Sequence, residues 1–81
     1  MVKFFEGANE CLARIDTATV ERIDKTFNFE KNNRIFQIEI VQISGSQDFK
    51  LNFNNEKERN EVYSKIKDFL LSYDDSTGIK L

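Results

Sequence analysis

Apolar residues recur every three or four positions between Glu56 and Ser72, which predicts an α-helix with one apolar side. Asn55, followed by Glu58 three positions later, is typical of a capping box at a helix start. Because an isolated helix of this length is marginal in water, its apolar side needs a partner. That side consists of Val62, Ile66, Phe69, Leu70 and Tyr73.

The middle of the chain instead alternates apolar and polar residues, as a half-buried β-strand does. This alternation predicts a three-stranded antiparallel meander with strands Thr26–Glu30, Arg34–Ser44 and Asp48–Phe53. Lys31-Asn32-Asn33 and Ser44-Gly45-Ser46-Gln47 supply the residues that tight turns need. The apolar face predicted to receive the helix comprises Phe27, Phe29, Phe36, Ile38, Ile40, Phe49, Leu51 and Phe53.

The alternation changes phase at Ile40 and Val41, in the second of these strands. If it continued unchanged, Val41 and Ile43 would point away from the helix. A β-bulge would re-aim them, and burial of both sheet faces at that end would also explain them. As outward apolar residues, Val41 and Ile43 are the positions predicted to contact a protein partner.

The region of residues 8–25 has two interpretations. Cys11, Ala13 and Ile15 alternate as a strand would, yet the same region also fits one apolar side of a helix. Strands are favoured because the β-branched residues here lose side-chain freedom in a helix. Asp16-Thr17-Ala18-Thr19 is then a turn, and Cys11 is expected to be a small buried hydrophobic residue.

The composition limits the chain to one folded unit. With 81 residues, 40% of them hydrophobic and 32% charged, the chain supports a single core. We expect one compact domain over residues 1–73 and a frayed polar tail over residues 74–81. The predicted fold class is α+β: an antiparallel meander sheet of four or five strands with one C-terminal amphipathic helix packed on its apolar face.

The sequence has no His and a single Cys. Without a His, and with only one Cys, the chain cannot form a Ser-His-Asp triad, a Cys-His dyad or a Cys/His zinc site. The three Gly are isolated, so they form no phosphate-binding loop, and Asp74-Asp75 offers too few ligands for Mg²⁺ or Ca²⁺. We therefore predict that the protein is not an enzyme and that it uses no metal or cofactor.

The location of the protein is predicted from three features. A lone cysteine is typical of reducing compartments, and residues 1–7 do not resemble a secretory signal. Charged residues also interrupt the chain too often for a membrane span. We expect an intracellular, cytoplasmic protein without membrane insertion.

Cations interleave with aromatic residues in the predicted sheet, a pattern that can bind single-stranded nucleic acid by base stacking. Two observations count against this interpretation. The formal net charge is −2, the wrong sign for binding phosphates, and the helix needs the same aromatic residues as its core. The cations are Lys25, Lys31, Arg34 and Lys50, and the aromatic residues are Phe27, Phe29, Phe36 and Phe49.

Residues 49–70 resemble the closing strand and C-terminal helix of pleckstrin-homology-like domains. An alternating F-x-L-x-F strand runs into an acidic first turn that contains an arginine, and then into a helix with an apolar face. The resemblance implies a sheet closed by one helix. The chain is short for the seven-strand sheet of that family and has no basic cluster in an early hairpin, so lipid binding is not carried over to any residue.

These features together predict a small non-catalytic protein–protein interaction module of unidentified partner. An unpaired sheet edge is one contact surface, able to add a strand from a partner or from a second copy as a homo-oligomer. Val41 and Ile43 are the other. The alternative function is single-stranded nucleic-acid binding through the Lys, Arg and Phe residues named above.

Overall fold

Five β-strands and one long α-helix lie within residues 1–77, so the predicted α+β class is confirmed. The computed structural model describes the backbone of residues 1–77 and the side chains of residues 1–72. No helix in this part of the chain is long and apolar enough to cross a membrane. In chain order the elements are β1 (Val2–Glu6), a short 3₁₀ segment (Ala8–Glu10), β2 (Leu12–Asp16), β3 (Val20–Glu30), β4 (Asn33–Gln42), β5 (Phe49–Phe53) and α1 (Glu56–Thr77).

The strands form two antiparallel sheets. The predicted meander is the three-stranded sheet, in the order β3-β4-β5. The other sheet pairs β1 with β2, so that Phe5 lies opposite Ala13 and Lys3 opposite Ile15. Residues 12–16 and 20–25 are therefore strands, and the helical alternative for this region is wrong. Strand β1 itself was not predicted, because the adjacent apolar residues Phe4 and Phe5 break the alternation.

Both predicted reversals of the meander are present. Lys31 and Asn32 have positive φ angles of 49° and 68°, the backbone that a two-residue hairpin turn needs to match the twist of its strands. The second reversal contains Gly45, with a φ of 95°, and the Ser46 amide donates to the Ile43 carbonyl at 3.0 Å. Position 45 favours glycine because a residue with a Cβ is strained at this φ.

The core between the sheets and the helix is mainly aliphatic. Ile66 is fully buried at the centre of the helix stripe, and other stripe residues pack around it, as predicted. The side chains of Tyr73 and of the predicted tail, residues 74–81, lie outside the described residues, although α1 extends to Thr77. The buried apolar residues are Phe5, Ala13, Ile15, Ile38, Ile40, Leu51, Phe53 and Ile66.

Phe27 and Phe29 do not belong to this core, and their predicted burial is wrong. Their exposed fractions are 56% and 61%, whereas Phe53 is 2% exposed. Strand β5 ends at Phe53, opposite Phe36, so Phe29 lies past its end. Phe27 lies in the same row as Phe36 and Phe53, but on the edge strand β3. The alternation placed both rings on the correct face, but that face extends beyond the elements that cover it.

Cys11 is also exposed, contrary to its predicted burial. It precedes β2 at the end of the alternating series, while Ala13 and Ile15 further along are 4% and 0% exposed. The Cys11 carbonyl accepts a hydrogen bond from the Gly7 amide at 2.8 Å. This contact places Cys11 in the link between β1 and β2, outside the core. The alternating pattern therefore continues past the last buried position, and the thiol is exposed.

Polar side chains form a hydrogen-bonded row across the face of the three-stranded sheet that is opposite the helix. Thr26 Oγ1 donates to Gln37 Oε1 at 3.3 Å, and Gln37 Nε2 donates to Asn52 Oδ1 at 2.9 Å. Gln37 is only 9% exposed. Its buried amide group is thus paired on both sides, which removes the penalty of burying it.

The start of α1 is capped as the sequence predicts. Asn55 Oδ1 accepts the Glu58 amide at 2.8 Å, and Asn55 Nδ2 donates to Glu58 Oε1 at 2.7 Å. The acidic residues Glu56 and Glu58 lie in the first turn, where negative charge is favoured by the helix dipole. The helix therefore begins immediately after β5.

A buried guanidinium joins this first turn to the sheet. Arg59 is 6% exposed, and its Nη1 donates to the Thr26 carbonyl at 2.8 Å and to the Gln37 carbonyl at 3.3 Å. Its Nη2 lies 3.6 Å from the Glu56 carboxylate, and its Cζ lies 5.4 Å from the centroid of the Phe36 ring. Arg59 thus holds α1 against β3 and β4 together.

We predict that Arg59→Lys lowers the free energy of unfolding by about 1–3 kcal/mol, because an ammonium group cannot replace a planar fork in contact with two carbonyls and a carboxylate. Urea unfolding followed by circular dichroism measures the change. Arg14→Lys is the matched control, since the Arg14 side chain is 61% exposed. Equal stability of the two variants would contradict the structural role of Arg59.

Gly7 allows the link between β1 and β2 to lie against β5. A Cβ at this position would come within 2.7 Å of Leu51 Cδ1 and 2.8 Å of the Asn52 carbonyl oxygen. We predict that Gly7→Ala destabilises the fold by about 1–3 kcal/mol through overpacking. The same unfolding measurement tests it, with Gly45→Ala as a comparison in which strain comes from the φ angle and not from contact. An unchanged stability of Gly7→Ala would show that the link moves freely off β5.

Candidate functional site

The outer half of the β3–β4 hairpin carries an exposed aromatic group, which we call the aromatic tip and define as Phe27, Phe29 and Arg34. The two phenyl rings meet edge to face, with centroids 5.7 Å apart and planes at 89°. The Arg34 Cζ lies 5.1 Å from the Phe27 centroid and 5.4 Å from the Phe29 centroid. The aromatic tip is therefore an exposed pair of rings with a guanidinium against both.

The hairpin register produces this arrangement. Phe27 lies opposite Phe36, and Phe29 lies opposite Arg34, so all four side chains share one face of the hairpin. Arg34 also lies 5.9 Å from the Phe36 centroid, and the buried Arg59 contacts the same ring. A continuous series of cation–aromatic contacts thus leads from the first turn of α1 to the exposed rings.

The aromatic tip has a positive local charge. In residues 25–36, Lys25, Lys31 and Arg34 contribute three positive charges and Glu30 one negative charge, which gives a net +2 against −2 for the whole chain. The Lys25 Nζ lies 4.8 Å from the centroid of Tyr63, a half-buried residue at the margin of the helix stripe, as predicted. The tip therefore suits partners with negative or aromatic groups.

The remaining residues of the predicted nucleic-acid site lie elsewhere. Lys50 is exposed on the opposite face of the sheet, where it lies across from Glu39. Phe49 is half-buried and pairs with Ile40 at the other end of β5. The structure thus brings Lys25, Lys31 and Arg34 to one hairpin and separates Lys50 from them.

Val41 and Ile43 lie near the opposite end of β4 from the aromatic tip. Val41 is half-buried opposite Arg22, while Ile43 follows the strand, is 41% exposed, and donates its amide to the Thr19 carbonyl at 2.9 Å. A register shift is present near Val41, but it lies in β3, between Val20 and Arg22. The residues Ile40 and Val41 of β4 pair consecutively with Ile23 and Arg22, so the shift is not the β-bulge that would have re-aimed Val41.

A second exposed apolar group lies on the two-stranded sheet and was not predicted. Phe4 is 58% exposed and Leu12 is 61% exposed, with Val2 at 37% on the same face. Phe4 pairs with Arg14 and Leu12 with Glu6. Prediction of this group requires knowledge of β1, which the sequence pattern did not reveal.

A shallow groove of about 360 Å³ runs between β1 and α1. The Lys3 Nζ lies above two aromatic rings there, 5.6 Å from the Phe5 centroid and 5.9 Å from the Phe69 centroid. The groove residues are Lys3, Lys65, Asp68, Phe69 and Ser72. Within residues 1–72, no group of three or more His, Cys, Asp or Glu could hold a metal ion; Asp74 and Asp75 lie outside the described side chains.

Arg22 makes the shortest ion pair of the described side chains. Its Nε lies 3.0 Å from Asp24 Oδ2, two residues further along the same face of β3. The hydrogen bond to Asp24 and then its negative charge raise the pKa of Arg22 above the ordinary value. The guanidinium therefore stays charged and held along β3.

Comparisons of the chain with protein family models, with curated proteins and with solved structures find no match. The geometry and charge of the aromatic tip are therefore the features that indicate its role.

We predict that Phe27→Ala and Phe29→Ala each lower the free energy of unfolding by less than about 1 kcal/mol, because each ring is exposed and loses contacts with its cross-strand neighbour, the other ring and Arg34. Phe53→Ala is the matched comparison, with an expected loss of about 3–5 kcal/mol from the buried ring. Denaturant unfolding in dilute solution measures all three. A large loss for Phe27→Ala would place its ring in the core.

Proposed function

We propose that the chain is a small non-catalytic protein-interaction module and that the aromatic tip is its main contact surface. The observation that carries the proposal is the exposure of Phe27 and Phe29, at 56% and 61%, beside Arg34. Exposed apolar groups rimmed by polar residues mark interaction sites. Aromatic residues and arginine also contribute a large share of the binding energy at protein interfaces.

The non-catalytic part of the proposal is supported by composition. A chain without His and with one Cys lacks the usual general base and the usual activated nucleophile pairs. The single Cys also supports the proposed cytoplasmic location. The resemblance of residues 49–70 to pleckstrin-homology-like domains stays a prediction and assigns lipid binding to no residue.

The chain offers a matched control for the aromatic tip. Phe4 and Leu12 expose 58% and 61% of their surface on the other sheet, close to the values of Phe27 and Phe29. Removal of either pair therefore takes a similar apolar area from the surface. The two pairs differ in their position on the molecule and in the second ring with its Arg34 contact, which the Phe4 and Leu12 pair does not have.

We predict that the tagged wild-type chain and the Phe4→Ala/Leu12→Ala variant retain the same protein from native cell extract, while Phe27→Ala/Phe29→Ala loses it. The loss is expected because the tip variant has no aromatic contact surface. Quantitative mass spectrometry of the captured material, with the bait excluded, measures the difference. Equal capture by both double variants would overturn the role of the tip.

Val41 and Ile43 remain the second proposed contact surface. A carboxylate at position 41 would face Arg22 across the strands, so Val41→Asp is expected to leave stability nearly unchanged. If this surface binds the partner, Val41→Asp weakens capture in the same experiment. A large fall in melting temperature would instead show that Val41 is part of the core.

Single-stranded nucleic-acid binding is the second candidate function, and the exposed rings of the aromatic tip together with its local charge of +2 favour it. Arg34 already lies against both rings, which competes with base stacking, and the whole chain is negative. We therefore expect no shift of a single-stranded oligonucleotide at low salt. Binding that weakens steeply with salt and is lost in Phe27→Ala/Phe29→Ala would favour this function instead.

A further inference from the structure

We infer that β3 is a dimerisation edge, at which two copies of the chain pair antiparallel about a two-fold axis through Thr26 and join their three-stranded sheets. The inference rests on the proposed function, because it names a second copy as one partner of the aromatic tip. Three features support it: the open edge of β3, the residues that this register brings together, and the polar row on the sheet.

Strand β3 is the long open edge among the described residues. It spans Val20–Glu30 and, within the described backbone of residues 1–77, pairs only with β4. At the other end of the same sheet, the segment at Gly7 lies against β5. An open edge of this length presents unpaired backbone groups that can accept another strand.

The hairpin turn fixes which backbone groups of β3 face outward. Glu30 and Asn33 flank the two-residue turn and are therefore a hydrogen-bonded pair, so alternate residues of β3 direct their amides and carbonyls to β4. Thr26 belongs to that set, since Arg59 reaches both its carbonyl and that of Gln37. The outward-facing residues are then Ile23, Lys25, Phe27 and Phe29.

One contact agrees with this assignment. The Phe29 amide donates to Asn28 Oδ1 at 2.9 Å, as expected of an amide that has no partner on β4. On dimerisation this amide would exchange the Asn28 side chain for a carbonyl of the second copy. The outward-facing residues would form two-fold-related pairs, each with two backbone hydrogen bonds.

On the helix side of the sheet, the Thr26 register covers the aromatic tip. Phe29 lies opposite Ile23 of the second copy, and Phe27 lies opposite Lys25 of the second copy. Aromatic residues pair well with β-branched residues and with cations across strands. Both exposed rings thereby gain a neighbour that the single chain does not provide.

On the other side of the sheet, the same register matches the charges. Arg22 lies opposite Glu30 of the second copy, and Asp24 lies opposite Asn28 of the second copy. No two like charges meet between positions 22 and 30, the stretch in which β3 pairs regularly with β4. Like charges placed directly opposite would have opposed pairing.

The polar row on this face continues across the proposed axis. Asn52, Gln37 and Thr26 already form hydrogen bonds in sequence, and Thr26 would lie opposite Thr26 of the second copy. Threonine pairs across strands stabilise a sheet through their hydroxyl groups. The row would then extend over six strands.

Lys25 makes the edge selective. A charge on the apolar face of an edge strand normally discourages pairing with other strands. Here the Lys25 Nζ already lies against Tyr63, and in the Thr26 register it gains Phe27 of the second copy. A strand without an aromatic residue at that position would not compensate the charge.

A two-fold axis at Ile23 also matches charges, since Glu21 would meet Lys25 and Arg22 would meet Asp24 of the second copy. That register passes through the irregularity between Val20 and Arg22 and leaves Phe27 and Phe29 uncovered. The Thr26 register avoids both problems. The two registers predict different cross-links, so one experiment separates them.

Cysteine cross-linking tests the register in the full chain with Cys11→Ser, which removes the exposed native thiol. In the Thr26→Cys variant, two thiols meet at a pair without backbone hydrogen bonds, where Cα atoms are about 4.5 Å apart, close enough for a disulfide. We expect a disulfide-linked dimer on a non-reducing gel. Asn28→Cys is the matched control. It should form no disulfide and run as a monomer on this gel, since its thiols lie about 13 Å apart along the strands.

Charge exchange provides an independent test by analytical ultracentrifugation. We expect wild-type dimers at high micromolar concentration. Arg22→Glu should raise the dissociation constant about tenfold, because two equivalent ion pairs are lost. Arg22→Glu/Glu30→Arg should restore the wild-type dissociation constant. Thermal unfolding confirms that each variant folds. A monomeric wild-type chain at high micromolar concentration would overturn the inference, and cross-linking through Ile23→Cys instead of Thr26→Cys would overturn its register.

The two proposals fail in different ways. If the chain stays monomeric and captures another protein through the aromatic tip, the dimer is refuted but the proposed function is not. The opposite result is a Thr26 cross-link together with capture of other proteins that does not depend on Phe27 and Phe29. It would support the dimer and refute the role of the tip in binding another protein.

Discussion

The guanidinium of Arg59 determines where helix α1 lies on the three-stranded sheet, because it donates to carbonyls of β3 and β4 at Thr26 and Gln37. It lies in the first helical turn, immediately after β5, so the helix cannot reach further along the hairpin. Phe27 and Phe29 lie beyond this point and stay exposed. A buried charge that bonds to backbone on two strands thus also sets the extent of the surface proposed for binding.

Much of the fold could be predicted from local chemistry. Alternation identified three strands and their faces, Asn55 and Glu58 indicated the helix start, and the spacing around Ile66 indicated its buried side. These features are encoded within a few residues of one another. The burial of Phe27 was predicted wrongly because alternation defines the face of a strand, whereas burial depends on how far a distant element extends over that face.

The candidate site was predictable in part. The sequence pointed to the Phe and cations of the hairpin, and a two-residue turn would have placed Arg34 opposite Phe29. A comparison of strand lengths was the missing signal, since β3 has eleven residues and β5 only five. Two long strands beside a short one protrude, and Phe29 lies on the protruding part, past Phe53. Phe27 lies level with Phe53 on the edge strand β3, so this comparison does not account for its exposure. The exposed Phe4 and Leu12 had no such signal, because β1 was not recognised.

The side-chain row of Thr26, Gln37 and Asn52 has a consequence for the uncovered face of the sheet. In fibrils, paired sheets meet face to face through dry, interdigitated side chains. Here the amide groups are already engaged laterally within their own layer, so a stacked sheet would have to dehydrate this face without gaining new partners for it. Face-to-face pairing with another sheet is therefore disfavoured on this side.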